Sequence, residues 1–254
     1  MLSSSNVAVS STALDARLAG AALAGAIACA IVAIGSGLGY RLGLWEYQTG
    51  FTILRYAFFA AFFAGGASVI ALATSRRLAP PLLMALTGLS VAALTAYVPW
   101  TYHTAMQSSS PLYDISTDVA HAPEFVALRQ FRKASEHALT YEREDASLQR
   151  EAYPDAHPLR VGQPREQVFD AARRALLAMG LEIVSAEAAD GRIEAVATSL
   201  FYGFKDDVVV RLMSDSGGTL VDMRSQSRVG RGDMGVNANR IRMFMGRLQA
   251  NLAQ

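Results

Sequence analysis

Hydrophobic and polar positions divide the chain at about residue 102. Before it, three runs carry no charged side chain: Leu18 to Tyr40 (23 residues), Tyr56 to Ser75 (20) and Leu78 to Tyr102 (25). A helix needs about 20 apolar residues to cross the hydrocarbon core of a bilayer, so each run predicts a span. The first is too long for the core of a cleavable signal and has no Lys-rich leader, which makes it an anchor. Trp45, Tyr97, Trp100 and Tyr102 fall at segment ends, where aromatic rings favour the headgroup zone.

Beyond Ser108-Ser109-Ser110-Pro111, which reads as a linker, the pattern becomes that of a globular domain. Glu124 to His137 predicts a helix with Phe125, Leu128 and Phe131 at helical spacing, and Tyr141 to Pro158 an extended polar connection. A clear helix follows, with Pro164 at the first helical position, a stripe of Val168, Phe169, Ala172, Leu176 and Met179, and Gly180 as its stop. Four strands are predicted at Leu181 to Ala188, Arg192 to Thr198, Asp206 to Ser214 and Thr219 to Ser227, paired as hairpins through Ala189-Asp190-Gly191 and Asp215-Ser216-Gly217-Gly218. An amphipathic helix from Asn237 to Leu252 turns Ile241, Phe244, Leu248 and Leu252 inward. The expected architecture is three membrane spans, then an α+β domain with a four-stranded antiparallel sheet and helices on one face, similar in pattern to helix-grip domains. Residues 1–17 form a tail, 18–102 the three-helix membrane region and 103–254 the α+β domain.

The register of the second hairpin can be read from its turn. Arg211 falls opposite Asp222, and Arg224 opposite Val209 and diagonal to Asp207, while Val208, Val210, Leu212, Val221 and Met223 face the other way. One sheet face is then apolar core and the other an acid/base ladder. That ladder is either cross-strand ion pairing or a binding surface. After the last strand, Arg228 to Asn237 forms a Gly-rich loop opening into the final helix, and Gly230, Gly232 and Gly235 spell GxGxxG. Only 19 residues follow Gly235, leaving no second parallel strand, so a dinucleotide fold is excluded. What remains is a helix N-terminus beside Arg228, Arg231 and Arg240, where an anion could sit unless Asp233 caps the loop internally.

Composition narrows the functional classes. The 23 Lys+Arg and 22 Asp+Glu residues divide into five Arg against two acids up to Tyr102, then 18 bases against 20 acids. Neither half has the basic excess of a nucleic-acid binder. The single cysteine, Cys29, excludes a disulfide framework and a cysteine-built zinc site. Asp114, Asp118 and His121 form a weak oxygen and nitrogen set better suited to an exposed helical turn than to a metal, and His137 and His157 lie in polar stretches. No cofactor is implied. The spans carry no ionisable residue mid-membrane, which disfavours transport. Gly35, Gly39 and Gly43 have GxxxG spacing, for packing among the spans or for homo-oligomers. Arg76 and Arg77 in the Thr74 to Pro80 turn, and the absence of Lys and Arg from Tyr102 to Leu128, place the C-terminal domain outside the cytoplasm, although Arg41 and Arg55 count the other way. Two lysines, Lys133 and Lys205, against 21 arginines, with abundant Ala, suggest a high-GC bacterial genome.

Several segments also carry a family likeness. Pro111 to Asp118, Tyr153-Pro154 with Pro158-Leu159, Gly203 to Arg211, Val221 to Gly230, Gly232-Asp233, Gly235 to Ala238 and Arg240 to Arg242 together resemble domain-of-unknown-function family 1499, over about Pro111 to Leu248. His121-Ala122-Pro123 departs from the usual Asp-Pro-Pro, and Leu181 replaces a usual Trp. The resemblance implies a bacterial protein, with or without membrane segments, and supplies no activity. The reading is therefore a multi-pass protein of the bacterial inner membrane, non-enzymatic, whose domain binds an envelope protein, a lipid headgroup or an anionic ligand. Its candidate binding residues are Asp207, Arg211, Asp222, Arg224, Arg228, Arg231, Asp233, Asn237 and Arg240. The alternative is a membrane-bound enzyme acting on an anionic envelope substrate, with Asp207 or Asp222 as acid/base.

Overall fold

The computed structural model describes residues 3–74, 80–142 and 145–253 and falls into two compact units, Met1–Thr104 and Ala105–Gln254. The first is built from helices α1 (Ser3–Arg41), α2 (Tyr47–Thr74) and α3 (Pro80–Ser108). The most apolar 18-residue windows within Ala13–Arg41, Tyr47–Thr74 and Pro80–Ser108 have mean hydropathies of 2.3, 1.9 and 1.7, so all three helices are long and apolar enough to cross a membrane. Their large side chains, among them Ile31, Phe59, Phe63, Ile70, Leu83 and Leu94, point outward, and the buried positions are small: Ala19, Ala22, Ala26, Ala57, Ala61, Ser68, Ala71, Ala85 and Ala92. A hydrocarbon solvent gives no reason to bury Phe or Leu, whereas small residues let helix backbones approach closely.

Neighbouring helices approach closely at Gly88, where an added Cβ would lie 2.9 Å from Ser68 Oγ of α2 and 3.2 Å from Leu23 Cα of α1. The GxxxG run does not serve this purpose. Gly35 has nothing within 4 Å of an added Cβ, and Gly39 is covered by the ring of Trp45. Trp45 folds back on α1, donating from Nε1 to the Ser36 carbonyl at 3.0 Å. Gly43, at φ +73°, ends the helix: its N–H and that of Leu44 bond back to Tyr40 and Gly39, which is a Schellman stop. Arg76 and Arg77, on which the orientation reading rests, lie outside the described residues.

The second unit carries six strands where the alternation of polar and apolar residues predicts four. The sheet order is β1-β6-β5-β4-β3, all antiparallel, and β2 also pairs with β6. Strands β3 (Glu182–Glu187), β4 (Arg192–Thr198), β5 (Lys205–Asp215) and β6 (Gly218–Ser227) match the expected hairpins. The additions, β1 (Asp114–Ser116) and β2 (Leu159–Val161), lie end to end along the free edge of β6; at three residues each they are too short for a period-2 pattern. The expected helix over Glu124 to His137 is only a 3-10 turn at Ala127–Phe131, and the polar connection contains helix α4 (Asp145–Ala152). Asp114 is a buried strand residue, not part of an exposed helical turn.

Helices α5 (Arg165–Ala178) and α6 (Val236–Leu252) cover one sheet face. Val168, Ala172, Leu176, Ile241, Phe244 and Leu248 pack there on Ile193, Val208, Val210, Leu212, Val221 and Met223. Pro164 is the N-cap of α5, one residue outside the expected first position, and Gly180, at φ +78°, closes the helix with bonds from the Gly180 and Leu181 N–H groups to Leu177 and Leu176. The other face is covered by the segment around Phe125, Leu128 and Leu139, which packs on Val196 and Val209.

Gly88→Val should force α1, α2 and α3 apart and destabilise the helical unit by about 1–3 kcal/mol, the usual effect of overpacking. Gly35→Ala should leave the thermal unfolding midpoint in detergent unchanged. Equal midpoints for the two variants would contradict the close approach at Gly88.

Candidate functional site

The acid/base ladder has the register expected of it, with Arg211 opposite Asp222 and Arg224 opposite Val209. Its surroundings differ from an open surface, because the 117–142 segment lies over it and almost every charge is held by a distant partner. Arg224, 2% exposed, pairs with Asp114 and not with its diagonal neighbour Asp207. The pair is bidentate, Nε to Oδ1 at 2.9 Å and Nη2 to Oδ2 at 2.6 Å. The guanidinium also donates to the carbonyls of Leu139 and Pro123 and lies 4.8 Å from the ring centroid of Phe125 and 5.4 Å from that of Tyr141. The Gln226 amide donates to the same Asp114 carboxylate at 2.9 Å.

Asp207 is fully buried and held from two sides. Arg228 donates to Oδ1 at 2.8 and 2.9 Å, and Arg132 donates to Oδ2 at 2.5 Å. Asp222 accepts from Arg211 at 2.9 Å and from the Thr117 hydroxyl at 3.2 Å, while Arg211 also reaches Asp118 at 3.2 Å. Glu194, pointing to the same face from β4, accepts the N–H groups of Val126, Ala127 and Leu128, each at 3.0 Å, at the N-terminus of the 3-10 turn. A carboxylate is favourable there because the free N–H groups of a helix start carry partial positive charge. Buried charges are tolerated when paired and hydrogen-bonded, and these meet that condition.

The Gly-rich loop is also satisfied from within. Asp233 accepts the Gly235 N–H at 2.8 Å and the Asn237 N–H at 2.6 Å, so its carboxylate occupies the position an anion would take at the start of α6. Asn237 bonds Ser225, Ser227 and the Tyr113 carbonyl, and Arg240 pairs with Asp206 at 2.6 Å. Of the expected binding residues, Arg231 is exposed; Asp207, Asp222, Arg224, Arg228, Asp233 and Asn237 are buried. Burial pushes the Asp233 carboxyl above its ordinary range, while the Asn237 and Gly235 N–H bonds pull it back.

Beside this loop the same unit opens a cleft of about 650 Å³, lined by Ser110, Tyr153, Met234, Gly235, Asn239 and Arg242 among others. Arg242 pairs with Asp155, and its guanidinium lies 5.7 Å from the Tyr153 ring centroid. The hydrogen bond from Arg242 holds the Asp155 carboxyl below its usual range and raises Arg242 in turn. Burial pushes the Tyr153 phenol up, helped by the nearby Asp233 charge. Ser110 Oγ, shielded from solvent, has no hydrogen-bond partner. Sequence reading missed Ser110, Tyr153, Asn239 and Arg242 as a group because they come from three separate segments. It also missed Glu194 and Arg132, whose partners lie 66 to 75 residues away.

Fold and site together define a protein with three membrane-type helices and an α+β domain whose polar sheet face is internally locked. The chain belongs to the family described as Protein of unknown function (DUF1499), whose profile matches residues 114–248. No curated protein matches it.

Arg224→Met leaves the Asp114 carboxylate buried without its cation and should destabilise the domain by about 3–5 kcal/mol in denaturant unfolding. Adding Asp114→Asn should recover part of that loss; no recovery would contradict the pairing. For Asp233 the sign follows from its raised pKa. The folded carboxyl holds its proton more tightly than the unfolded one, so its contribution is greatest below the ordinary value of 3.8 and declines as pH rises through the raised value. The stability advantage of wild type over Asp233→Asn should therefore shrink as pH rises above the ordinary value of 3.8; a flat difference would show that burial does not dominate this group.

Proposed function

We propose that the protein is a multi-pass protein of the bacterial inner membrane whose α+β domain stands outside the cytoplasm and works by binding an anionic group, such as a lipid headgroup, without catalysis. The observation that carries this reading is the cleft beside α6, into whose lining Tyr153, Asn239 and the half-exposed Arg242 come together. The Arg242–Asp155 pair is half-exposed on both sides, so water screens it and an incoming anion can compete for the guanidinium at little cost. Binding is favoured over turnover because Asp207 and Asp222, the carboxylates best placed in sequence for acid/base work, are fully buried and clamped by arginines. The extracytoplasmic orientation is supported by the absence of Lys and Arg from Tyr102 to Leu128.

Orientation is tested in intact cells with Cys29→Ala and Ser216→Cys, the latter in an exposed hairpin turn. A membrane-impermeant maleimide should label it before lysis; labelling only after lysis would put the domain in the cytoplasm. Ligand class is tested by calorimetry on the full chain in neutral-lipid nanodiscs, titrated with inorganic phosphate and with short-chain phosphatidylglycerol. Arg242→Gln should weaken binding about ten- to a hundredfold, the effect of losing a charge-assisted hydrogen bond, at unchanged thermal midpoint. Binding of the lipid alone identifies a headgroup site, and binding of neither overturns the reading.

A further inference from the structure

The two ends of the sheet differ in chemistry. At one end a continuous row of backbone bonds joins four strands: Ser227 N–H to the Tyr113 carbonyl at 2.8 Å, Arg228 N–H to the Lys205 carbonyl at 3.0 Å, and the Thr198/Lys205 pairing of β4 with β5. The chain that leaves α3 enters the sheet in this row, at Tyr113, and the β4–β5 loop 199–204 projects from the same row. Strands lie about 4.8 Å apart, so the two ends of the loop lie two and three strand spacings from the entry point, about 10 to 15 Å. Only Ser109 to Tyr113 lie between the end of α3 and β1, and five extended residues reach at most about 18 Å.

That loop shows apolar side chains to solvent. Leu200 is 91% exposed and Phe201 43%, above a firm base in which the Tyr202 and Phe204 rings stack with centroids 5.1 Å apart. Ser199 pins the loop, its hydroxyl accepting the Phe204 N–H at 2.8 Å. Phe131, 52% exposed, stands at the same end, where its carbonyl accepts from Arg228. Around these side chains are three exposed cations, Lys205 in the loop's flank, Lys133 two residues beyond Phe131, and Arg231 in the Gly-rich loop; both lysines of the whole chain are here. The acids at this end are Glu182, Glu136, Asp206 and Asp233; Glu136 is bonded to the Lys133 N–H, Asp206 is paired with Arg240, and Asp233 is bonded to the Gly235 and Asn237 N–H groups. The turns at the opposite end, Ala188 to Gly191 and Ser216-Gly217, are flanked by Glu187 and by the ion pairs Asp190–Arg192 and Asp215–Arg160, and show no large exposed apolar side chain among the described residues.

We propose that this end of the sheet is a membrane-resting face, on which Leu200, Phe201 and Phe131 insert among the lipid headgroups and Lys133, Lys205 and Arg231 lie at phosphate level. The occupant is the bilayer that the chain's own helices cross. Aromatic and aliphatic tips ringed by long cationic side chains match the layered polarity of that interface, since the stems of Lys and Arg cover apolar surface while their heads stay wet. Rigidity supports the assignment as well, because a loop stacked on its own aromatic base loses little freedom on insertion. None of these residues lines the cleft beside α6, so the two proposals fail separately.

The test uses the full chain with Cys29→Ala in vesicles of phosphatidylcholine and phosphatidylglycerol doped with a lipid bearing a nitroxide quencher just below the headgroup. A polarity-sensitive fluorophore on Leu200→Cys should emit to the blue and lose at least half its intensity to the quencher; the same fluorophore on Ser216→Cys should do neither. Adding Phe131→Asp and Phe201→Asp to the Leu200→Cys protein should abolish the quenching at unchanged thermal midpoint. Equal quenching at residues 200 and 216 would overturn the proposal, and so would quenching at residue 200 that survives both aspartates, since the dye itself would then be the anchor.

Discussion

The buried bidentate pair between Arg224 and Asp114 is the contact on which the domain's arrangement depends. A charge taken out of water without a partner costs several kcal/mol, so a sequence that places Arg224 under the 117–142 segment must also deliver a carboxylate to it. Asp114 can arrive only if the entering chain runs antiparallel to β6 in the register Asp114↔Gln226. The pair thus fixes a strand of three residues that has too little backbone pairing to define itself. Gln149 finishes the edge, its amide bonding both the N–H and the C=O of Ser116 in the manner of one more strand residue. From Arg224 the lock passes through Gln226 and Arg132 to Asp207 and Arg228, so the covering segment is riveted to the sheet at several points.

Much of this domain was legible in the sequence where the physics is local. The β5–β6 register followed from a tight turn between two alternating runs, and α5 from an apolar stripe ended by Gly180, because both signals lie within a dozen residues. The family likeness, drawn from longer motifs, holds over the matched region. What was not legible depended on distance along the chain. Arg224 and Asp114 are 110 residues apart, and nothing in the local pattern distinguishes Asp114 as a partner from Asp114 as a surface acid or a metal ligand. Phe125, Leu128 and Phe131 have helical spacing, yet the turn there is shaped by Glu194 capping three successive N–H groups, a constraint supplied by another strand. In the membrane-type unit the GxxxG spacing drew the eye to Gly35 and Gly39, while the close approach falls at an isolated Gly88 whose significance appears only with Leu23 and Ser68 beside it.

The same lock redirects the functional question. A sheet face of paired charges suggests ligand chemistry when each strand is read alone. Once the covering segment is in place, the arginines of the ladder are donors to carboxylates and carbonyls of their own chain. Both proposed contacts with an outside partner therefore draw on other residues: the cleft with Ser110 and Arg242, and the exposed tips of Leu200, Phe201 and Phe131.

An interface of that size would be weak in a free domain. Each Lys or Arg near an anionic membrane surface contributes about 1 kcal/mol, and a few apolar tips add a similar amount apiece. For a domain joined to its own membrane helix by five residues, that scale is sufficient. The short connection replaces a diffusional encounter by an intramolecular one, with effective concentrations in the millimolar range for short linkers. If the proposed face rests on the bilayer, a modest surface energy would set orientation instead of occupancy. On that proposal the cleft beside α6, which is lined by Ser110 and Gly235, would also lie in the layer where lipid headgroups are concentrated. An anion site placed there would need little intrinsic affinity, because the proposed resting surface would itself supply the ligand.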